Sequence, residues 1–180
     1  MRIVGGAFRG RTLRAVPGTA TRPTADRVRQ SLFDLLGQRM DGLNVLDLYA
    51  GTGALGLEAI SRGASRAVLI EKDARACGVI HGNIADLRVE DRVQVLRGDL
   101  PQALSGLHGQ RFDLVFSDPP YALHAAQAVV DAVQELLAPG ARLVLEMERR
   151  ELAPVLPQRL SLADERRYGD TLVRVIAKAG

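Results

Sequence analysis

The chain has 180 residues, of which 47% are hydrophobic and 25% charged, a composition typical of globular proteins. It contains no run of about 18 apolar residues and no apolar region behind its first arginine, so we expect neither a membrane span nor a signal peptide. One cysteine and three scattered histidines lack metal-ligand spacing, which predicts no metal site and a reducing, cytoplasmic location.

Basic charge is concentrated near the N-terminus. Residues 1–40 hold eight arginines and two aspartates, a net charge of +6, whereas the remainder carries −3. Such a distribution indicates a phosphate-bearing partner. Glycines between two β-rich pieces predict a small hairpin, and a helix is expected to follow, with Thr24 as its N-cap and Gly37 as its stop. We predict that residues 1–40 are an extension packed on a main domain of residues 41–180, because 40 residues are too few for a separate core.

From residue 43 onward, β-rich runs alternate with helical patterns. The predicted strands are 44–49, 66–71, 93–98, 112–117 and 142–147, and the predicted helices are 54–62, 74–87 and 124–137, with a short turn near 101–105. This alternation is typical of a parallel sheet covered by helices on both faces. Two further β-rich segments, 159–167 and 171–177, predict a terminal antiparallel hairpin. The expected fold is therefore the seven-stranded, doubly wound α/β fold.

A glycine-rich turn follows the first predicted strand. It has the pattern G-x-G-x-x-G from Gly51 to Gly56, and Glu71 follows twenty residues after Gly51. Glycines allow the backbone to approach a ligand, and an acid ending the second strand can bind ribose hydroxyls, so the pattern predicts an adenosine-containing ligand. Asp47 favours S-adenosylmethionine over NAD, because it would repel a pyrophosphate but could face an ammonium group. Asp99 is placed to accept a hydrogen bond from the adenine amine.

The fourth predicted strand ends in Asp118-Pro119-Pro120-Tyr121. In a doubly wound sheet this end borders the ligand crevice, and the prolines give up their backbone donors there. The Asp118 carboxylate and the Pro119 carbonyl are two acceptors that suit an exocyclic amine, and Tyr121 offers a ring on which a base can stack. With the glycine turn, this motif indicates methylation of a base amine by direct displacement.

The sequence resembles the RsmD-type family of bacterial 16S rRNA (guanine-N2) methyltransferases over nearly its whole length. The matching stretches are RIVGGAFRGRTL, RPTADRVRQSLFDLL, VLDLYAGTGALGLEAISRGA, SDPPY and YGDT. Through these stretches, the resemblance implies a class I, Rossmann-like methyltransferase fold, S-adenosylmethionine as cofactor, and N2 of guanine 966 in 16S rRNA of the small ribosomal subunit as the target.

The resemblance also implies the site residues. Those expected to bind the cofactor are Asp47, Tyr49, Gly51, Gly53, Glu71, Lys72, Asp99, Leu100 and Asp118. Those expected to hold the guanine are Asp118, Pro119 and Tyr121. Those expected to face the RNA are Arg2, Arg9, Arg11, Arg22, Pro23, Thr24 and Arg27. We expect a monomer that needs no metal, because the methyl donor carries its own positive charge.

Three alternatives remain open at the level of sequence. An adenine-N6 DNA methyltransferase could use the same Asp-Pro-Pro-Tyr motif, because adenine also presents an exocyclic amine. An NAD-dependent oxidoreductase would use the glycine turn, although neither a Tyr-x-x-x-Lys pattern nor a well-placed histidine is visible. A non-catalytic RNA chaperone would not need Asp118.

Overall fold

The computed structural model describes residues 1–18, 23–120 and 124–180, with side chains from residue 26 onward in the second range. Its sheet consists of β1 (Asn44–Leu48), β2 (Arg66–Glu71), β3 (Val93–Arg97), β4 (Phe112–Ser117), β5 (Leu137–Glu148), β6 (Leu160–Tyr168) and β7 (Thr171–Lys178). The strand order is β3-β2-β1-β4-β5-β7-β6. Strands β1 to β5 are parallel, and β7 is antiparallel to both β5 and β6. The predicted seven-stranded α/β fold with a terminal hairpin is confirmed.

Helices cover both faces of this sheet. They are α1 (Pro23–Leu36), α2 (Ala54–Ser61), α3 (Ala74–Leu87) and α4 (Ala126–Val133), with a 3₁₀ turn at Gln102–Leu107. One apolar cluster packs α1, α2 and α3 against one face, and a second packs α4 against the other. Along β4, Leu114 and Phe116 join the first cluster and Val115 joins the second, as expected for a strand buried on both sides. Within the described ranges, we find no helix with the length and apolar character needed to cross a membrane.

The boundary between α4 and β5 differs from the prediction. The helix ends at Val133 instead of 137, and β5 begins at Leu137 instead of 142. Leu136 and Leu137 satisfy the spacing of a helix, but the Phe112 amide donates to the Leu136 carbonyl at 2.8 Å and Leu137 pairs with Phe112. The strand then accommodates Gly140, whose φ is 75°, through an irregular register. Pairing with β4 therefore overrides the local helical pattern.

The predicted start of α1 is also wrong by one or two residues. The helix begins at Pro23, so Thr24 lies within its first turn and is not the N-cap. Proline is favoured at the first helical position, because an amide hydrogen there would have no acceptor within the helix and its loss costs no hydrogen bond. The predicted stop is confirmed, because α1 ends at Leu36 and Gly37 has a left-handed φ of 89°.

The N-terminal residues form a minimal hairpin that packs on α2. Its strands meet in an isolated antiparallel bridge between Arg2 and Thr12. Ile3 and Leu13 are buried in the apolar cluster shared with α1 and α2. A Cβ atom on Gly6 would lie 1.9 Å from the Ser61 carbonyl oxygen, so only glycine permits this approach. The boundary at residue 40 stays a prediction, since the extension shares its core with the rest of the chain.

Glu58 on α2 connects the hairpin to two helices. Its fully buried carboxylate accepts hydrogen bonds from the Val4 and Gly5 amides at 2.9 and 2.8 Å. It also forms ion pairs with Arg62 Nε at 2.9 Å and Arg29 Nε at 3.4 Å. Burying a charge is costly unless it is paired and hydrogen-bonded, and Glu58 meets both conditions.

We expect Glu58→Gln to lower the free energy of unfolding by about 3–5 kcal/mol, because it leaves the buried guanidinium of Arg62 without a carboxylate and that of Arg29 with only Asp26. Chemical denaturation measures this loss. Asp41→Asn is the control, because Asp41 pairs with Arg39 at an exposed site. Removing this ion pair should cause no measurable change in the free energy of unfolding. Equal stability of the two variants would contradict the central role of Glu58.

Candidate active site

A cavity of about 420 Å³ opens at the carboxyl ends of β1 to β4. Its lining residues are Tyr49, Gly51, Ile70, Glu71, Lys72, Gly98, Asp99, Leu100, Asp118, Pro119 and Pro120. This volume is in the range of small-molecule sites, and the carboxyl edge of a doubly wound sheet is where such sites occur. Seven of the nine residues expected to bind the cofactor line the cavity, whereas Asp47 and Gly53 do not.

Glu71 holds the glycine turn in place. Its Oε2 atom accepts a hydrogen bond from the Gly51 amide at 2.8 Å, and its Oε1 atom accepts one from the Asp73 amide at 2.9 Å. The turn itself has left-handed φ angles at Tyr49, Gly51 and Gly53. Each carboxylate oxygen of Glu71 keeps a free lone pair, which suits it to accept from the two hydroxyl groups of a ribose.

Asp47 lies beneath the glycine turn. Only 1% of its surface is exposed, and its Oδ2 atom accepts a hydrogen bond from the Gly56 amide at 2.9 Å. Burial raises the pKa of Asp47 to about 8, and the charges of Asp118 and Glu71 act in the same direction. Asp47 therefore orders the start of α2, and the structure places it behind the cavity wall.

Asp99 and Tyr49 also line the cavity, where the charge of Asp99 acts on the Tyr49 hydroxyl. Asp99 is exposed, and its Oδ1 atom accepts from the Leu100 amide at 3.0 Å, which leaves Oδ2 for a ligand. Burial and the charge of Asp99 raise the pKa of the Tyr49 hydroxyl. Lys72 is exposed at the cavity rim.

Asp118 borders the cavity directly after β4. Its surface is open to the cavity, yet surrounding protein desolvates the carboxyl group and raises its pKa to about 6. Pro119 is buried beside it and also lines the cavity. Tyr121, the third residue of the predicted base-binding set, lies outside the described residues. In the described part of the chain, no three histidine, cysteine or acidic side chains gather into a metal site.

Glu146 is a site candidate that the sequence analysis missed. Ser117 pairs with Leu145 in the parallel β4–β5 ladder, so Asp118 and Glu146 follow at neighbouring positions. Burial raises the pKa of Glu146 to about 8, and the charge of Asp118 contributes. The available signal is an acidic residue within the otherwise apolar stretch of 143–147, part of the predicted strand 142–147.

The N-terminal hairpin contacts the glycine turn through Asn83 on α3. The Asn83 side chain accepts from the Arg14 amide at 2.7 Å and donates to the Thr52 carbonyl at 3.0 Å. Met1 also approaches Thr52, whereas Phe8 contacts Ser61 at the other end of α2. The hairpin thus runs along α2 from the cavity end toward the opposite end.

The structure separates the predicted RNA-facing residues. Arg2, Arg9 and Arg27 are exposed and have no ion-pair partner among the described residues. Arg11 is exposed and donates to the Asp86 carbonyl at 2.7 Å. Arg22 lies outside the described residues, as do the side chains of Pro23 and Thr24.

Comparisons with known proteins agree with this geometry. The family model described as Conserved hypothetical protein 95 matches residues 1–177. YlbH of Bacillus subtilis (strain 168), described as a candidate rRNA methyltransferase, is 35% identical over 184 residues, which are 100% of both chains. Ribosomal RNA small subunit methyltransferase D of Escherichia coli (strain K12) is 34% identical over 177 residues, or 97% of this chain and 88% of the relative. The solved structure of YhhF from Escherichia coli, described as a candidate methyltransferase, has a TM-score of 0.86 and 33% identity, and the match covers 99% of this chain and 98% of that one.

The strand order and the position of the cavity define a class I, Rossmann-like S-adenosylmethionine-dependent methyltransferase fold. The chain belongs to the family described as Conserved hypothetical protein 95, which is that of ribosomal RNA small subunit methyltransferase D. The resemblance found in the sequence is thereby confirmed.

We expect Gly56→Ala to lower the free energy of unfolding by about 1–3 kcal/mol through overpacking. Its Cβ atom would lie 2.8 Å from Leu69 Cδ1 and 3.2 Å from Asp47 Oδ2, directly under the glycine turn. Gly78→Ala is the matched control, because a Cβ at this exposed position of α3 meets nothing within 4 Å. That control should raise the free energy of unfolding by about 0.5–1 kcal/mol. If thermal denaturation showed that both variants shift the stability in the same direction, the packing role of Gly56 would be refuted.

Proposed function

We propose that this protein transfers a methyl group from S-adenosylmethionine to the exocyclic N2 of a guanine in 16S rRNA of the small ribosomal subunit. The observation that carries the proposal is the position of Asp118 and Pro119 on the wall of the glycine-turn cavity. Membership of the methyltransferase D family supports rRNA as the substrate class. We further propose that the protein acts as a cytoplasmic monomer.

The chemistry of the cavity fits S-adenosylmethionine. Glu71 offers free lone pairs for the ribose hydroxyls, and the Asp99 carboxylate can accept from the adenine amine. When bound, the cofactor supplies a methyl group on a positively charged sulfur. Carboxylates around the cavity stabilise such a charge, whereas the pyrophosphate of NAD would meet Asp118 and Glu71 with like charge.

Asp118 and Pro119 would position the amine for transfer. The Asp118 carboxylate accepts one N2–H, and the Pro119 carbonyl accepts the other, which aims the nitrogen lone pair at the methyl group. The bound cofactor would supply its methyl group to N2 and keep the electron pair of the broken carbon–sulfur bond on sulfur, and the Asp118 carboxylate would accept the proton released from N2 and pass it to solvent. Because the pKa of Asp118 is raised to about 6, it is ionised at neutral pH yet basic enough to accept this proton.

The exposed arginines of the extension would contact phosphates. Arg2 lies near the cavity end of the hairpin, because Met1 adjoins Thr52. Arg142 in the first half of β5 donates to the Leu36 carbonyl at 2.8 Å, and Tyr168 at the carboxyl end of β6 lies 2.7 Å from the Ser31 hydroxyl. α1 therefore runs from the carboxyl edge of the sheet toward the amino edge, and its N-terminal half, which bears Arg27, lies toward the cavity. Such phosphate contacts hold the RNA without reading its sequence. To reach the cavity, the target base must also leave its stack, at a cost of a few kcal/mol.

The deciding experiment is transfer of labelled methyl from S-adenosylmethionine to small ribosomal subunits that lack the modification, with naked 16S rRNA in parallel. The product is digested and the labelled nucleoside identified. We expect N2-methylguanosine. N6-methyladenosine would overturn the guanine assignment but keep the cofactor, and transfer to the assembled subunit alone would show that ribosomal protein or folded RNA helps to dock the enzyme.

Asp118→Asn should lower the rate of methyl transfer at least about 100-fold, because it loses the carboxylate that accepts the amine proton. The rate of the wild-type enzyme should rise with pH through about 6, as the Asp118 carboxyl ionises, and the variant should lack this rise. Asp91→Asn, at an exposed position, is the control and should match the wild type. Methyl transfer by Asp118→Asn at the wild-type rate would contradict the role proposed for the Asp118 carboxylate.

Arg2→Glu combined with Arg27→Glu should weaken binding of small-subunit RNA and reduce the salt dependence of that binding. The slope of log K against log salt should become shallower by about 0.7–0.9 for each phosphate that the variant no longer neutralises. Arg111→Glu combined with Arg66→Glu is the matched control, because these two exposed arginines lie at the amino ends of β4 and β2, opposite the cavity. An equal effect of both charge reversals would mean that only net charge matters and that the RNA binds elsewhere on the protein.

A further inference from the structure

Asp118, directly after β4, and Glu146 on β5 form a pair of neighbouring acids. Phe116 pairs with Val144, and Ser117 with Leu145 in the last pair of the β4–β5 ladder, so the two acids directly follow that pair. Side chains alternate along a strand, so Glu146 points to the same face as Val144, and Asp118 is close enough for its charge to raise the pKa of Glu146. Neighbouring strands are about 4.8 Å apart, which allows two side chains to reach one small ligand.

Glu146 has no evident role in stabilising the fold. On β7 it pairs with Val173, and its neighbour on the same face of β5 is Val144. Its carboxyl group makes no hydrogen bond or ion pair with the described residues, unlike Glu58, which has two arginines and two amides. A desolvated carboxyl without partners costs stability, so a ligand that supplies a donor is the natural partner for this one.

The edge of guanine provides such a donor. Beside its exocyclic N2 amine, guanine presents the N1–H donor, whereas adenine presents the N1 lone pair beside its N6 amine. An edge with donors at both positions fits two adjacent carboxylates. Adenine in the same pose would direct its N1 lone pair at an acceptor, which is repulsive.

We propose that Glu146 is a specificity-determining residue that accepts the N1–H of the target guanine while Asp118 accepts from the N2 amine. This inference rests on the proposed function. The N1–H donor favours the charged form of Glu146 and therefore lowers its pKa from about 8 when the base binds. The pair thus distinguishes guanine from adenine, which the Asp-Pro-Pro-Tyr motif alone does not.

The test compares small subunits that carry guanine or adenine at the target position, in single-turnover methyl transfer with the wild type, Glu146→Gln and Glu146→Asp. A glutamine amide can present either an acceptor or a donor, so Glu146→Gln should reduce the guanine-to-adenine rate ratio at least about 10-fold. Glu146→Asp keeps an acceptor and should retain the ratio, even if the guanine rate falls. The exposed Glu135→Gln is the control.

Two readouts separate this inference from a structural role. Glu146→Gln should bind S-adenosylmethionine as the wild type does and should not unfold at lower temperature, because it removes a desolvated acid that has no partner among the described residues. Guanine methylation with an unchanged base ratio in Glu146→Gln would overturn the inference alone. Absence of guanine methylation by the wild type would instead overturn the proposed function, and the inference with it.

Discussion

The buried carboxylate of Glu58 is the interaction on which the arrangement of this protein depends. It accepts from the backbone of the N-terminal hairpin and pairs with arginines on α1 and α2. The Arg62 guanidinium also lies 4.7 Å from the ring centre of Phe33 on α1. Because α2 begins at the glycine turn, the same helix that shapes the cavity also holds the basic extension beside it. The proposed RNA contacts are therefore fixed relative to the proposed site of chemistry.

Four acids at the carboxyl edge of the sheet have different roles because they have different partners. Glu71 and Asp47 accept backbone amides and order the glycine turn, one at the cavity wall and one behind it. Asp118 and Glu146 accept no such bond from the described residues, and desolvation by the surrounding protein raises the pKa of both. The first two acids build the site, and the second two are those that we propose meet the amine and its neighbouring ring position.

The charge of the extension is less available than its net value of +6 suggests. Arg29 is buried against Glu58 and Asp26, and Arg14 is paired with Asp86 on α3. These arginines attach the extension to the main body. Among the described arginines of the extension, Arg2, Arg9, Arg11 and Arg27 are exposed and have no ion-pair partner, although Arg11 donates to the Asp86 carbonyl, so a local excess of charge was a poor guide to individual contacts.

The sequence by itself determined the parallel strands, the terminal hairpin, the glycine turn and the position of Asp118, because apolar periodicity and turn chemistry depend on residues close together in the chain. Only the tertiary structure decided that Leu137 begins a strand, since Phe112 of β4 supplies its pairing partner. The same holds for Glu58 and Glu146. An acid in an apolar segment is either a buried ion pair or a binding group, and which of the two it becomes depends on partners that are distant in sequence and adjacent only in the fold.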